Sequence, residues 1–205
     1  AELADAIVQA GRATLEAAMA MAEDPAAPWA PARVVYGDTD SLFVSFPGRS
    51  PSAAWDAAAS IAAAVTAANP RPVALKLEKV YDGCALLAKK RYAGLAHTSR
   101  PPDGWVHRGP PGAAPCPLPL PAFDAKGIET VRRDTCPAVS KVLEATLRLV
   151  LGRRDLSEVR AAVTAACGRI LGGRVGLGDL VFAKEVRLGT YRGALPPPAA
   201  TNGSV

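Results

Sequence analysis

Two carboxylates one residue apart, Asp38 and Asp40, lie in Tyr36-Gly37-Asp38-Thr39-Asp40-Ser41, between two short apolar runs. Their small and hydroxylated neighbours leave room for a divalent cation, its waters and a substrate phosphate. Mg²⁺ takes one or two carboxylates together with phosphate oxygens in octahedral geometry, so Asp38 and Asp40 are chemically suited to hold it. In a two-metal centre one ion acidifies the attacking hydroxyl and the other steadies the leaving group, with the ions roughly 3.5–4 Å apart. Such a centre needs a further carboxylate from another strand, and no other stretch of this chain offers an obvious one. Gly and Asp also form turns for backbone reasons alone, so Asp-x-Asp in isolation is more often a turn than a site.

Two basic segments follow. Lys89-Lys90-Arg91-Tyr92 gathers three cations and a hydroxylated aromatic in four residues. In a strand these alternate between faces, and cations with a tyrosine hydroxyl can hold a phosphate backbone without reading bases. Taken alone, such a run is more often a solvated surface patch. Asp124-Ala-Lys126-Gly-Ile-Glu-Thr-Val-Arg132-Arg133-Asp134 is the second, and by itself it reads as a charged strand and turn with surface ion pairs. The net charge is +5, yet residues 1–70 hold three Arg and eight Asp or Glu. The remainder therefore carries an excess of +10, which suggests a cation-holding site beside a polyanion-holding surface.

The elements that must position these residues follow from periodicity. Leu3, Ile7, Val8, Leu15, Met19 and Met21 mark a helix from Glu2 to about Glu23, ended by Pro25 and Pro28. Arg33–Tyr36 and Ser41–Phe46 read as antiparallel strands joined by the acidic turn. A second helix spans Pro51–Ala68, a strand is expected over Val73–Tyr81, and Cys84–Leu87 and Tyr92–His97 are its expected partners. Residues 98–122 hold eight prolines and three glycines and form a loop, expected on the surface at a strand connection. Thr135-Cys-Pro137 opens a helix to about Leu151, and Asp155 or Ser157 caps another through Leu171, closed by Gly172-Gly173. Val181–Arg187 reads as a short strand and the tail as disordered.

At 205 residues, 49% hydrophobic and 21% charged, the chain is of ordinary globular composition. Cys84, Cys116, Cys136 and Cys167 are spaced too widely for a C-x-x-C pair, which argues against a zinc knuckle or an iron–sulfur site within this stretch and for free thiols. No apolar run is long enough to cross a bilayer and no signal peptide is seen, so a reducing compartment, cytosol or nucleus, is expected. The chain opens on Ala inside a helical pattern, and we expect it to be a piece of a longer polypeptide.

The full hexapeptide between two apolar strands resembles motif C of the B-family DNA polymerases. Lys89-Lys90-Arg91-Tyr92 is similar to that family's K-K-R-Y motif, and Lys126-Gly-Ile-Glu-Thr-Val-Arg132-Arg133-Asp134 to its K-G-x-E-x-V-R-R-D stretch. The run through Thr135-Cys-Pro-Ala-Val-Ser-Lys141, with Phe182-Ala-Lys-Glu-Val-Arg187, resembles the zeta catalytic type more than the delta or alpha types. The resemblance covers nearly the whole chain to about Arg192. Its departures are the proline-rich insertion, the Gly83-Cys84 step and the ending after Arg192.

This resemblance implies an α+β fold: a palm-type antiparallel sheet with packed helices over residues 1–125, including the 98–122 insertion, then a mainly helical thumb over 126–192 and a disordered tail over 193–205. It implies transfer of dNTPs to a primer 3′ end with two Mg²⁺ ions, in translesion synthesis, DNA repair and replication in the nucleus. Asp40 is then the firmer metal ligand, working with an aspartate of a motif A, and Asp38 lies beside the metals. Lys89, Lys90, Arg91, Tyr92, Lys126, Arg132 and Arg133 are expected along primer–template DNA. Accessory subunits would bind mostly through regions outside these residues, and an iron–sulfur cluster is possible only in a C-terminal region beyond them. No membrane partner is expected. Motif A and motif B are absent, so these residues alone are expected not to polymerise DNA; the alternative is an inactive relative that binds duplex DNA or scaffolds a subunit.

Overall fold

The computed structural model describes residues 2–105, 121–152 and 155–183. Helices accompany small antiparallel sheets, so the α+β class expected from the sequence is the one that forms. The chain divides into two compact units, the change falling between Lys126 and Gly127, with Leu151 and Gly152 grouped with the first.

In the first unit, α1 (Glu2–Ala22) and α2 (Pro51–Ala68) share a core with the hairpin β1 (Arg33–Gly37) and β2 (Leu42–Ser45). Ser50 caps α2 by accepting the Ala53 amide, 3.2 Å, and Pro51 occupies the first turn, where no amide donor is needed. Ala57, Ile61 and Val65 recur every four residues and therefore share one helix face, which meets Ala18, Ala22 and Trp29. Val34, Leu42, Val44 and Phe46 pack against the same cluster. The Trp29 indole donates to the Ala22 carbonyl, 3.2 Å, so its one polar atom is satisfied inside the core. Leu3, Ile7 and Val8, at the other end of α1, are exposed.

The hairpin carries a bulge at Val35, between the paired residues Val34 and Tyr36. The extra residue places Tyr36 opposite Phe43 and Gly37 opposite Leu42.

A three-stranded antiparallel sheet follows, β3 (Val80–Ala88), β4 (Arg91–His97) and β5 (Ala122–Lys126), with β4 in the middle and buried from Tyr92 to His97. Two expectations are corrected here. Residues 73–79 form no strand: the Thr66 hydroxyl on α2 accepts the Leu75 amide, 2.9 Å, and donates to the Leu75 carbonyl, 3.2 Å, so α2 satisfies backbone groups that a ladder would have used. The ladder starts at Val80 and runs through Cys84–Leu87 as one strand. Lys89 and Lys90 are not strand residues with alternating faces but the two-residue turn between Ala88 and Arg91, and Lys90 has φ +61°.

Of the proline-rich segment, residues 106–120 lie outside the described residues. Its first residues are mostly exposed but are pinned at three points. Arg100 makes a bidentate ion pair with Asp56 on α2, 2.7 and 2.8 Å, and Pro101 and Trp105 are buried, with Trp105 set edge-on to His97 at 4.5 Å between ring centres.

The second unit holds α3 (Pro137–Gly152) as far as Val150, α4 (Leu156–Leu171) and the short α5 (Leu177–Leu180). Asp155 caps α4 by accepting the Ser157 amide, 2.8 Å, and Gly173 continues past its end at φ +65°, a conformation that glycine adopts without penalty. Asp179 holds the start of α3 twice, its carboxylate pairing with Lys141 at 2.7 Å and its carbonyl accepting the Cys136 thiol at 2.9 Å. Residues 181–183 form no strand, and 184–187 and the tail lie outside the described residues. Among the described residues no helix is long and apolar enough to cross a membrane.

Candidate active site

The acidic turn is closed by the Asp38 amide donating to the Ser41 carbonyl, 2.9 Å, which leaves Thr39 and Asp40 at its tip. Its two carboxylates differ in what already binds them. Asp38 accepts the Thr39 amide, 2.9 Å, and the Thr39 hydroxyl, 3.4 Å, and meets the Lys90 ammonium at 3.4 Å. Partial desolvation pushes the Asp38 carboxyl up, but the Thr39 amide and the Lys90 cation outweigh it and hold the group below the usual carboxylate range. Asp40 is exposed and makes no hydrogen bond or ion pair among the described residues. Two carboxylates, one of them open, fit the donor set that Mg²⁺ accepts in kind. No group of three His, Cys, Asp or Glu able to hold an ion occurs among the described residues, so this turn supplies part of a coordination sphere.

Four aromatic rings tie the acidic hairpin to the larger sheet. Phe43 lies at their centre, edge-on to Tyr92 at 5.0 Å and to Tyr36 at 5.5 Å, and stacked on Tyr81 at 5.7 Å. Tyr92 also meets Tyr36 and Tyr81, at 6.5 and 6.4 Å. Such edge-on and stacked pairs each contribute about 0.5–1.5 kcal/mol beyond their buried area. Gly94 makes this arrangement possible, because a Cβ there would sit 2.3 Å from the Tyr81 ring. The Tyr36 hydroxyl accepts the Lys90 amide, 2.8 Å, joining the acidic turn to the basic one.

On the other side of the cluster, Asp124 of β5 accepts both the Tyr81 hydroxyl, 2.5 Å, and the Lys79 ammonium, 2.9 Å, on one carboxylate oxygen. Burial pushes the Asp124 carboxyl up, yet the bonds from Tyr81 and Lys79 bring it below its ordinary value. Burial lowers the Lys79 ammonium, and its bond to Asp124 more than restores it. The Tyr81 phenol is pushed well up, by burial first and then by its bond to Asp124. Burial and the Asp124 charge push the Cys84 thiol up to about 11, which keeps it protonated and a poor nucleophile.

Tyr36, Asp38, Asp40, Ser41, Phe43, Lys90, Tyr92 and Lys126 line one cleft of about 250 Å³. Five of the site residues expected from the sequence thus come together, Asp38, Asp40, Lys90, Tyr92 and Lys126. Strand pairing sets Lys126 directly opposite Tyr92. Tyr92 is buried by the aromatic cluster, so its ring forms the wall of the cleft. Lys89 is exposed in the turn and Arg91 half-buried at the start of β4, and neither lines the cleft. Arg132 and Arg133 belong to the second unit, where Arg132 is engaged bidentately by Asp134 at 2.9 and 2.6 Å and Arg133 is exposed. Nothing in the sequence assigns a site role to Phe43, Tyr81 or Asp124, or to the Tyr36 hydroxyl. Tyr36 was within reach as part of the hexapeptide, but no sequence signal pairs Asp124 with Tyr81, 43 residues away.

Residues 1–199 match the family described as DNA polymerase family B. The chain belongs to that family. Within it, the chain is 50% identical over 205 residues to a DNA polymerase zeta catalytic subunit of Arabidopsis thaliana, covering 98% of this chain and 10% of the relative. A human DNA polymerase zeta catalytic subunit matches at 45%, covering 91% of this chain and 5% of the relative. One from Saccharomyces cerevisiae matches at 43%, covering 97% and 12%. This family B chain is thus similar to zeta catalytic subunits along nearly its whole length, and it spans about a tenth or less of the length of most of them. The resemblance drawn from the hexapeptide and the two basic stretches is borne out.

Proposed function

We propose that these residues form one wall of a two-metal nucleotidyl-transfer centre in a zeta-like DNA polymerase that adds dNTPs to a primer 3′ end opposite damaged templates. The observation that carries this reading is the inequality of the two carboxylates: Asp38 is engaged by Thr39 and Lys90, whereas Asp40 is open to the cleft. Asp40 is the metal ligand and Asp38 a neighbour that shapes the turn. When bound, two Mg²⁺ ions would acidify the primer hydroxyl and neutralise the leaving pyrophosphate. The chain's own residues bind and orient. Lys90 and Lys126 set positive charge at the rim of the cleft, where Lys90 meets a backbone phosphate of the duplex, the rings of Phe43 and Tyr92 keep water from its wall, and Lys89, Arg91, Arg132 and Arg133 hold the duplex backbone elsewhere. Positioning and charge neutralisation then account for most of the acceleration. A cleft of about 250 Å³ encloses only part of a nucleotide, so the complete polymerase supplies the nucleotide's other contacts and the partner carboxylate of a motif A.

The same reading places the polymerase in the nucleus, on primer–template DNA, with accessory subunits bound outside this stretch. Its test is Asp40→Asn in the complete polymerase. Incorporation should fall by at least about a hundredfold while the Kd for a primer–template duplex stays within about twofold. Retained incorporation would remove Asp40 from the metal site and favour the alternative, a duplex-binding or scaffolding domain without catalysis.

A further inference from the structure

We propose that the Tyr36 hydroxyl is a positioning device for the basic turn, clamping Lys90 in place against the acidic turn. This rests on the reading of Lys90 as a backbone-phosphate contact. Lys90 is a non-glycine residue at φ +61°, a conformation that persists only where surrounding contacts enforce it. The turn has two residues, and the Lys90 amide does not pair across the ladder. It donates instead to the Tyr36 hydroxyl, 2.8 Å, from a residue 54 positions earlier in the chain. The Tyr36 ring cannot swing away, because Phe43 and Tyr92 meet it edge-on. The Lys90 side chain is 62% exposed and otherwise free to sample many rotamers, and its ammonium meets Asp38 at 3.4 Å. One hydroxyl thus sets both the conformation of the basic turn and the occupancy of Asp38, and so indirectly leaves Asp40 as the open carboxylate.

The experiment compares the complete polymerase with its Tyr36→Phe, Lys90→Met and double variants. Phenylalanine keeps the ring packing and removes only the acceptor. In Tyr36→Phe, hydrogen–deuterium exchange of a peptide covering residues 88–92 should quicken. The Kd for a recessed primer–template duplex should rise about fivefold, the loss of one hydrogen bond. In the Lys90→Met background the same change should have less than about a twofold effect, because the residue it positions is gone. Unchanged exchange overturns the proposal, as does an additive double variant. A Tyr36→Phe protein whose thermal midpoint drops as far as that of Phe43→Ala also overturns it, since the role would then be packing. Faster exchange with duplex binding unaffected by Lys90→Met supports the clamp and removes instead the phosphate contact assigned to Lys90.

Discussion

In the first unit Lys79, Lys90 and Arg100 are held by partners far away in the chain, whereas Arg132 and Arg148 of the second unit lean on neighbours. Lys79 reaches Asp124 across 45 residues, Arg100 reaches Asp56 across 44, and Lys90 meets Tyr36 across 54. Arg132 pairs with Asp134 two residues on, and Arg148 with Glu144 one helical turn back. A long-range contact exists only when the sheet and hairpin have already formed, so losing it is felt by the whole unit. A local, exposed pair forms in an isolated segment nearly as well and contributes little to the fold. The contrast is between side chains whose direction the fold dictates and side chains that pair within one short segment. The second unit is not wholly local, since Lys141 and Asp179 are 38 residues apart.

The largest test of this contrast lies at Gly94. In Gly94→Ala the new Cβ would stand 2.3 Å from the Tyr81 ring and 2.9 Å from the Gly83 carbonyl, so ring and strand must both move. A loss of about 1–3 kcal/mol is expected in denaturant unfolding, and with it the Tyr81 bond to Asp124. An unchanged midpoint would mean that the aromatic cluster does not depend on this close approach.

Asp124→Asn is the next test, and it separates charge from packing. The variant should lose about 1–2 kcal/mol at neutral pH, the worth of hydrogen bonds to a charged acceptor. The carboxyl titrates lower in the folded chain than in the unfolded one. Its stabilisation is therefore fully present above the unfolded value of about 3.9 and is lost as pH falls through the folded value. Asp124→Asn should flatten this acid limb of the stability–pH curve; an identical limb in both proteins would rule out Asp124 as its source. The smallest effect is expected for Arg132→Ala, less than about 1 kcal/mol, because the pair with Asp134 is exposed and local. A larger loss would place Arg132 in the same class as Lys79.

Helix ends and turns were legible in the sequence because their chemistry is local. Pro51, Asp155 with Ser157, and Gly172-Gly173 mark ends within a residue or two of where they fall. The two antiparallel runs around Gly37–Asp40 were equally clear, since an acidic, glycine-bearing turn between β-branched residues has few other solutions. The strand expected over residues 73–79 failed for a non-local reason. Alternating Val73, Leu75 and Leu77 have the right period, but Thr66 on α2 claims the Leu75 backbone. Lys89-Lys90 failed in a related way, for nothing in the two residues themselves announces a turn with φ +61°. Periodicity reports which faces are apolar and is silent on which backbone groups find partners elsewhere.

By itself the sequence determined the membership of this chain in DNA polymerase family B, the pair of carboxylates at a turn, and the order of acidic before basic segments. Those are properties of residue type and spacing. Tertiary contacts, by contrast, engage Asp38 and leave Asp40 open, turn Lys90 toward the acidic hairpin, and bring Tyr36, Phe43, Tyr81 and Tyr92 into one cluster. The reason is physical: these relations depend on side chains from β1 to β4 meeting in space, and the distances between them are set by sheet register and ring packing rather than by their separation along the chain.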